Sequence, residues 1–287
     1  MRKIYNFSAG PACLPESALK ASKSAVKDYK NSGISILEMS HRSAPIMELF
    51  EDTTQNLINL LDIPENYSVL WLQGGASLQF SMVPMNLLPS GGTADYIDTG
   101  SWSAKAVIEC QKFGNVKVIG SSKDSVYSYI PKNVVTSEDA SYLHITSNNT
   151  IYGTQYKSFP EIKYTNSYLV ADMSSDILSK PIDISQFGLI YAGAQKNMGP
   201  AGVTLVIIRK DLLDSNFRDV PTMMRYKTHS SKDSMFNTPP VFTVCVVNET
   251  LKWIQSLGGL KEMEIINERK AKKLYTCLLY TSPSPRD

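Results

Sequence analysis

Short apolar runs alternate with longer segments of helical periodicity along most of the chain. Ser68 to Gln73 (SVLWLQ) is of strand length and stops at Gly74-Gly75-Ala76, which predicts a buried strand and then a turn. Ser77 to Leu88 (SLQFSMVPMNLL) predicts a helix. Ala94 to Asp98 (ADYID) and Ser101 to Phe113 repeat the strand–helix order. Further strands are predicted at Val116 to Gly120, Tyr142 to Thr146, Ser167 to Ala171, Leu189 to Tyr191 and Val203 to Ile208. Strands alternating with helices predict an α/β fold with a largely parallel sheet. In such sheets ligands sit beyond the carboxyl ends of the strands, so those ends are where chemistry is to be sought.

Two helices are predicted ahead of this core. Pro15 to Lys30 has an apolar face at Leu19, Val26 and Tyr29, and Pro45 to Leu61 has one at Phe50, Leu57 and Leu61. After the core, Val247 to Leu257 and Lys261 to Tyr275 have helical patterns, broken at Gly258-Gly259. Thr281 to Asp287 (TSPSPRD) is a Pro/Ser segment that cannot continue a helix. No internal repeat is present.

With 287 residues the chain can build one large or two modest domains. Its 29 Lys+Arg against 27 Asp+Glu leave a net charge of +2, so no broad basic field exists for nucleic acid. The start has charge but no long apolar stretch behind it, unlike a secretory signal, and no run has the length of a membrane span. Cys13, Cys110, Cys245 and Cys277 are widely separated and match no zinc or disulfide spacing. They are expected to be reduced thiols in a cytoplasmic protein without a bound metal.

Candidate chemistry gathers at the predicted strand ends. Lys196 follows a strand in Tyr191 to Gly202 (YAGAQKNMGPAG), among small residues that let a ligand approach the backbone. A desolvated lysine there can attack an aldehyde and form an imine, although an ordinary loop lysine has the same pattern. Asp172 closes the strand of Leu169 to Ser175 (LVADMSS), 24 residues before Lys196. It suits either a protonated ring nitrogen or the cap of the next turn. Gln73 to Ser77 (QGGAS) has the makings of an anion turn at a helix start. No GKS or GKT follows, which argues against a nucleotide triphosphate.

Trp102 (TGSWS) follows another strand end and could stack on an aromatic ligand or simply be buried. Thr150 (TSNNTIYG) lies in a similar loop. His41 and Arg42 (MSHR) stand just ahead of a helix, and an arginine there suits a carboxylate or phosphate. Asn237 and Thr238 belong to a rigid loop, FNTPP.

Taken in order, NFSAGPACLP, EMSHR, LQGGAS, TGSW, TSNNTIYGTQ, ADMSSDILS, YAGAQKNMGPAG and MFNTPP resemble the phosphoserine aminotransferase family of class V, fold-type I pyridoxal-phosphate enzymes. The resemblance runs from about Tyr5 to about Tyr275. It implies that Lys196 carries pyridoxal 5'-phosphate as a Schiff base and that Asp172 pairs with the pyridinium nitrogen. Trp102 would stack on the ring, Ala76, Ser77 and Gln195 would hold the phosphate, and Thr150 would meet the ring's polar edge. Asn237 and Thr238 would reach the cofactor of a neighbouring subunit, which implies a homodimer with shared sites. Arg42, with His41, would bind an acidic group of the substrate. The implied reaction is reversible amino transfer between glutamate and 3-phosphohydroxypyruvate, giving O-phosphoserine in serine biosynthesis. Some members of the family also serve pyridoxine biosynthesis.

The resemblance also implies a division of the chain. Residues 1–14 would be an N-terminal segment, 15–260 the cofactor-binding large domain, and 261–275 the start of a small C-terminal domain that is largely missing. Residues 276–287 do not resemble the family, as expected of a truncated reading of a longer protein, which should leave apolar surface uncovered. Ser77 stands where some members have an arginine, so part of substrate-phosphate binding must come from elsewhere or be weaker. Another class V aminotransferase, a cofactor-binding protein without turnover and a nucleotide-binding module remain as alternatives. A cysteine desulfurase does not, because Cys245 falls on what reads as a buried helix.

Overall fold

A computed structural model describes residues 4–215 and 217–281. Its helices are α1 (Glu16–Lys27), α2 (Ala44–Leu61), α3 (Gly75–Leu87), α4 (Ser101–Cys110), α5 (Tyr226–Ser230), α6 (Val241–Ser256) and α7 (Leu260–Thr281). Its strands are β1 (Tyr67–Leu72), β2 (Thr93–Asp98), β3 (Asn115–Ser121), β4 (Ala140–Thr146), β5 (Asn148–Asn149), β6 (Thr154–Gln155), β7 (Leu169–Asp172), β8 (Phe187–Gly193) and β9 (Thr204–Arg209). The predicted strands all form, most of them with ends shifted by one or two residues.

Seven strands make one sheet in the order β1-β9-β8-β7-β4-β2-β3. Neighbours from β8 to β3 are parallel, whereas β9 is antiparallel to both β8 and β1. Two antiparallel steps restore the direction of β1, so β1, β2, β4, β7 and β8 all present their carboxyl ends at one edge. The turns that follow them carry Gly74, Gly100, Ser147, Met173 and Lys196.

Both faces of the sheet are covered, as a parallel sheet requires. Ile145, Ala171, Ile190, Ala192, Leu205 and Ile207 pack toward α1, α2 and α6. Tyr96, Tyr142, Val170, Leu189, Tyr191 and Val206 pack on the other face, toward α3 and α4. This explains why β7, β8 and β9 read as continuous apolar runs instead of alternating ones.

In the flanking helices periodicity was right for α2 and for Tyr29 and wrong elsewhere. The buried residues of α1 are Ala18, Ser22 and Ala25, while Leu19 and Val26 are exposed, contrary to the expected face. Close approach to α6 favours the small side chains. Phe50, Leu57 and Leu61 of α2 are buried as expected. Helix α6 begins at Val241, six residues earlier than expected, because Pro240 supplies a start and the β-branched run behind it is buried between α1 and α2. Helix α7 runs on through Thr281, and its Leu274, Tyr275, Leu278, Leu279 and Tyr280 are exposed. The segment expected to stop the helix starts at Thr281, which α7 still includes, and residues 282–287 lie outside the described residues. Among the described residues no helix is long and apolar enough to cross a membrane.

Candidate active site

Asp172 is the last residue of β7 and is almost fully buried. Ser174, in the turn that follows, donates to its Oδ1 from both backbone N (3.0 Å) and Oγ (2.6 Å). Ser174 Oγ also accepts the Gly193 N–H at 3.0 Å, which ties the turn to the end of β8. Burial pushes the Asp172 carboxyl above its usual range, while the Ser174 bonds and the positive charge of Lys196 pull it back. The result is a carboxylate with one oxygen already held and Oδ2 taking no bond from the described residues.

Lys196 lies in the connection from β8 to β9, whose base is closed by the Ala194 N–H on Val203 O at 3.1 Å. Its Nζ donates to Thr150 Oγ1 at 3.1 Å and stands 5.7 Å from the centre of the Trp102 ring. Burial lowers the ammonium's pKa, and the charges of Asp172 and Asp176 oppose that shift. The N-terminal segment packs against this lysine: a Cβ on Gly10 would fall 2.9 Å from Lys196 Cγ. The Ala12 N–H donates to Gln195 O at 2.9 Å.

The QGGAS turn starts α3. Gly74 has φ +90°, and a Cβ there would stand 2.4 Å from Leu78 Cδ2, so both conformation and space require glycine. The first N–H groups of α3 have no helical partner and can bind an anion. Gln195 is packed on Gly193, where a Cβ would come within 2.6 Å of its Oε1.

Ala76, Ser77, Trp102, Asp172, Gln195 and Lys196 therefore line one cavity, and Thr150 touches its lysine. The indole Nε1 of Trp102 and Oγ1 of Thr146, both on this cavity, are buried without a partner among the described residues. Buried polar groups are seldom left unpaired, so the cavity wall is built for a polar ligand. The donor set fits pyridoxal phosphate: amides at a helix start for the phosphate, a carboxylate for the ring nitrogen, and a lysine for the aldehyde. Phe80, Thr146, Asn148, Ser174 and Ser175 also line the cavity and were not anticipated. Ser174 had a signal, since its place two residues after Asp172 suits an Asx-type turn.

Other expected residues lie apart within this chain. Asn237 and Thr238 border a separate apolar cavity behind Gly74, where Thr238 O accepts from Gln73 Nε2 at 3.1 Å. Arg42 borders a groove between α2 and residues 231–236. His41 Nε2 is buried without a partner among the described residues. Among the described residues no group of His, Cys, Asp or Glu is placed to hold a metal ion.

The family profile described as Aminotransferase class-V matches residues 4–283. The chain belongs to the class-V aminotransferases. It is similar to the phosphoserine aminotransferase of Desulfotalea psychrophila, with 51% identity over 96% of this chain and 76% of that protein. A solved structure concerning the Schiff base in a phosphoserine aminotransferase superposes with a TM-score of 0.95 at 47% identity, covering 98% of this chain and 78% of the other. The pyridoxal-phosphate-bound phosphoserine aminotransferase of Trichomonas vaginalis gives a TM-score of 0.88 at 39% identity, over 94% and 76%. Class-V membership agrees with the α/β sheet expected from the strand–helix alternation.

Proposed function

We propose that the chain is a phosphoserine aminotransferase, moving an amino group between L-glutamate and 3-phosphohydroxypyruvate in serine biosynthesis. The observation that carries this reading is the meeting of Lys196, Asp172 and the α3 anion turn on one cavity in a chain about half identical to proteins of that name.

Pyridoxal phosphate is the cofactor, and when bound it supplies an aldehyde for imine exchange and a ring that takes up electrons. Lys196 Nζ would hold that aldehyde. As a free amine, Nζ would be placed to act as general base and acid at the substrate carbon. Thr150 Oγ1 keeps Nζ oriented while it does so. Asp172 holds the ring nitrogen protonated, and Ser174 keeps that carboxylate ionised and aimed. The first-turn amides at Ala76 and Ser77, with Gln195, hold the phosphate. Trp102 covers the ring face and excludes water.

Residues 15–260 form the cofactor-binding unit in this reading, and α7 starts the next. The enzyme works in the cytoplasm as a homodimer, in which Asn237 and Thr238 of one subunit complete the phosphate site of the other. Arg42 and His41 bind an acidic group of the substrate.

The test supplies the holoprotein with O-phospho-L-serine and 2-oxoglutarate and measures glutamate. Turnover with phosphoserine, far above that with serine, is expected. A cofactor spectrum that neither glutamate nor phosphoserine alters would overturn the reading and leave a binding protein without turnover.

A further inference from the structure

The loop that carries Thr150 leaves the sheet after β4 and returns through the short ribbon of β5 and β6. That ribbon pairs only Asn148 with Gln155 and Asn149 with Thr154. So small a ribbon has little stability of its own, yet Thr150 at its tip must stay within hydrogen-bonding reach of Lys196 Nζ.

The side chain of Asp176, in the turn after β7, bridges the two ends of this loop. Its Oδ1 accepts from Ser147 Oγ, at the loop's start, and its Oδ2 accepts from Gln155 Nε2 at 3.2 Å, at the loop's end. Ser147 Oγ and N–H also reach Asp172 O, each at 3.0 Å. Next to them Asn148 Nδ2 donates to Ser175 Oγ at 2.8 Å, and Ser175 Oγ donates to Asn148 O at 2.9 Å. The turn that aims Asp172 thus also grips the loop that aims Lys196.

We propose that Asp176 is a positioning residue for amino transfer, closing the base of the 147–155 loop so that Thr150 stays on Lys196. The inference rests on the aminotransferase reading only for its kinetic readout. A carboxylate is suited to the task because each of its oxygens can accept a strong bond at the same time. The structural alternative is that Asp176 merely stabilises the turn through its own N–H on Met173 O at 3.2 Å.

A double-mutant cycle between Asp176→Ala and Thr150→Ala separates the two. The readouts are kcat and the pH midpoint of the holoprotein's visible absorption band, the latter recorded without substrate. A small displacement of an oriented group costs on the order of tenfold or more in rate, so each single variant should lose about that factor and shift the midpoint. The double variant should be no worse than Thr150→Ala alone. Asp176→Asn, with the Gln155 amide turned over, keeps a partner for both loop ends and should restore kcat to near the parent value.

Additive losses in the cycle would overturn the proposal, as would an Asp176→Ala enzyme with unchanged kcat and midpoint. If Asp176→Ala does not fold, the cycle is run with Gln155→Ala, where additivity with Thr150→Ala is equally fatal. Failure of the parent holoprotein to transfer nitrogen from phosphoserine would sink the proposed function instead. The substrate-free midpoints would still decide the role of Asp176.

Discussion

Ser174 Oγ lies 2.6 Å from Asp172 Oδ1 and, on its other side, accepts the Gly193 N–H at 3.0 Å. One hydroxyl therefore both favours the charged form of the carboxylate and helps to fix its direction. Replacing Ser174 with Ala removes a donor to the charged form, so the already raised Asp172 pKa must rise further. A hydrogen bond to a charged group contributes about 1.5–3 kcal/mol, so kcat should fall roughly 10- to 100-fold. The acid limb of the pH–rate profile should move to higher pH. A profile superimposable on the parent's would show that Ser174 is not tuning Asp172.

His144 supplies a stability prediction on the same sheet face. It is fully buried on β4, with Nε2 2.8 Å from Tyr191 OH and its ring stacked on Tyr96 at 4.7 Å. Burial pushes its pKa down to about 3. The folded protein keeps this ring neutral while the unfolded chain binds a proton below about pH 6.5. The contribution is therefore fully present above pH 6.5 and is lost as pH falls toward 3. Each pH unit in that window costs about 1.4 kcal/mol. Urea unfolding at pH 7 and pH 5 should show the parent losing about 2 kcal/mol more than a His144→Gln variant. Equal losses would mean that the native ring is protonated.

Subunit mixing tests the proposal that the site is shared between two subunits. Lys196→Ala and the double variant Asn237→Ala/Thr238→Ala should each be nearly inactive alone. In a mixed dimer, one site combines an intact Lys196 with an intact Asn237–Thr238 loop from the other chain. Co-refolding the two should therefore regain activity, up to about one good site per mixed dimer. No recovery from a mixture that sedimentation shows to be dimeric would mean that the loop does not serve a neighbour's cofactor.

The anion turn and the lysine were legible in the sequence because they depend on local constraints. Gly74 must adopt a positive φ and meet Leu78 without a Cβ, and Gly193 and Gly199, on either side of Lys196, leave little room for one. Asp172 was legible by position, as the polar residue that ends an apolar strand. The exposed faces of α1 were not legible, because Leu19 and Val26 match a helical period as well as Ala18 and Ala25 do. Only packing against α6 selects the small pair.

The sequence by itself determined the strand–helix alternation, the edge at which chemistry collects, and the residues able to form an imine and hold a ring nitrogen. Those follow from short-range rules of period, turn conformation and side-chain chemistry. The tertiary structure decided which of these residues share a cavity. It placed Thr150 against Lys196, put Gly10 behind that lysine, and separated Arg42, Asn237 and Thr238 from the cavity of their own chain. It also recruited Asp176 and Ser147, unremarkable in the sequence, to hold the loop. These contacts join residues tens to hundreds of positions apart, and only the sheet order and the packing of its two faces bring them within hydrogen-bonding range.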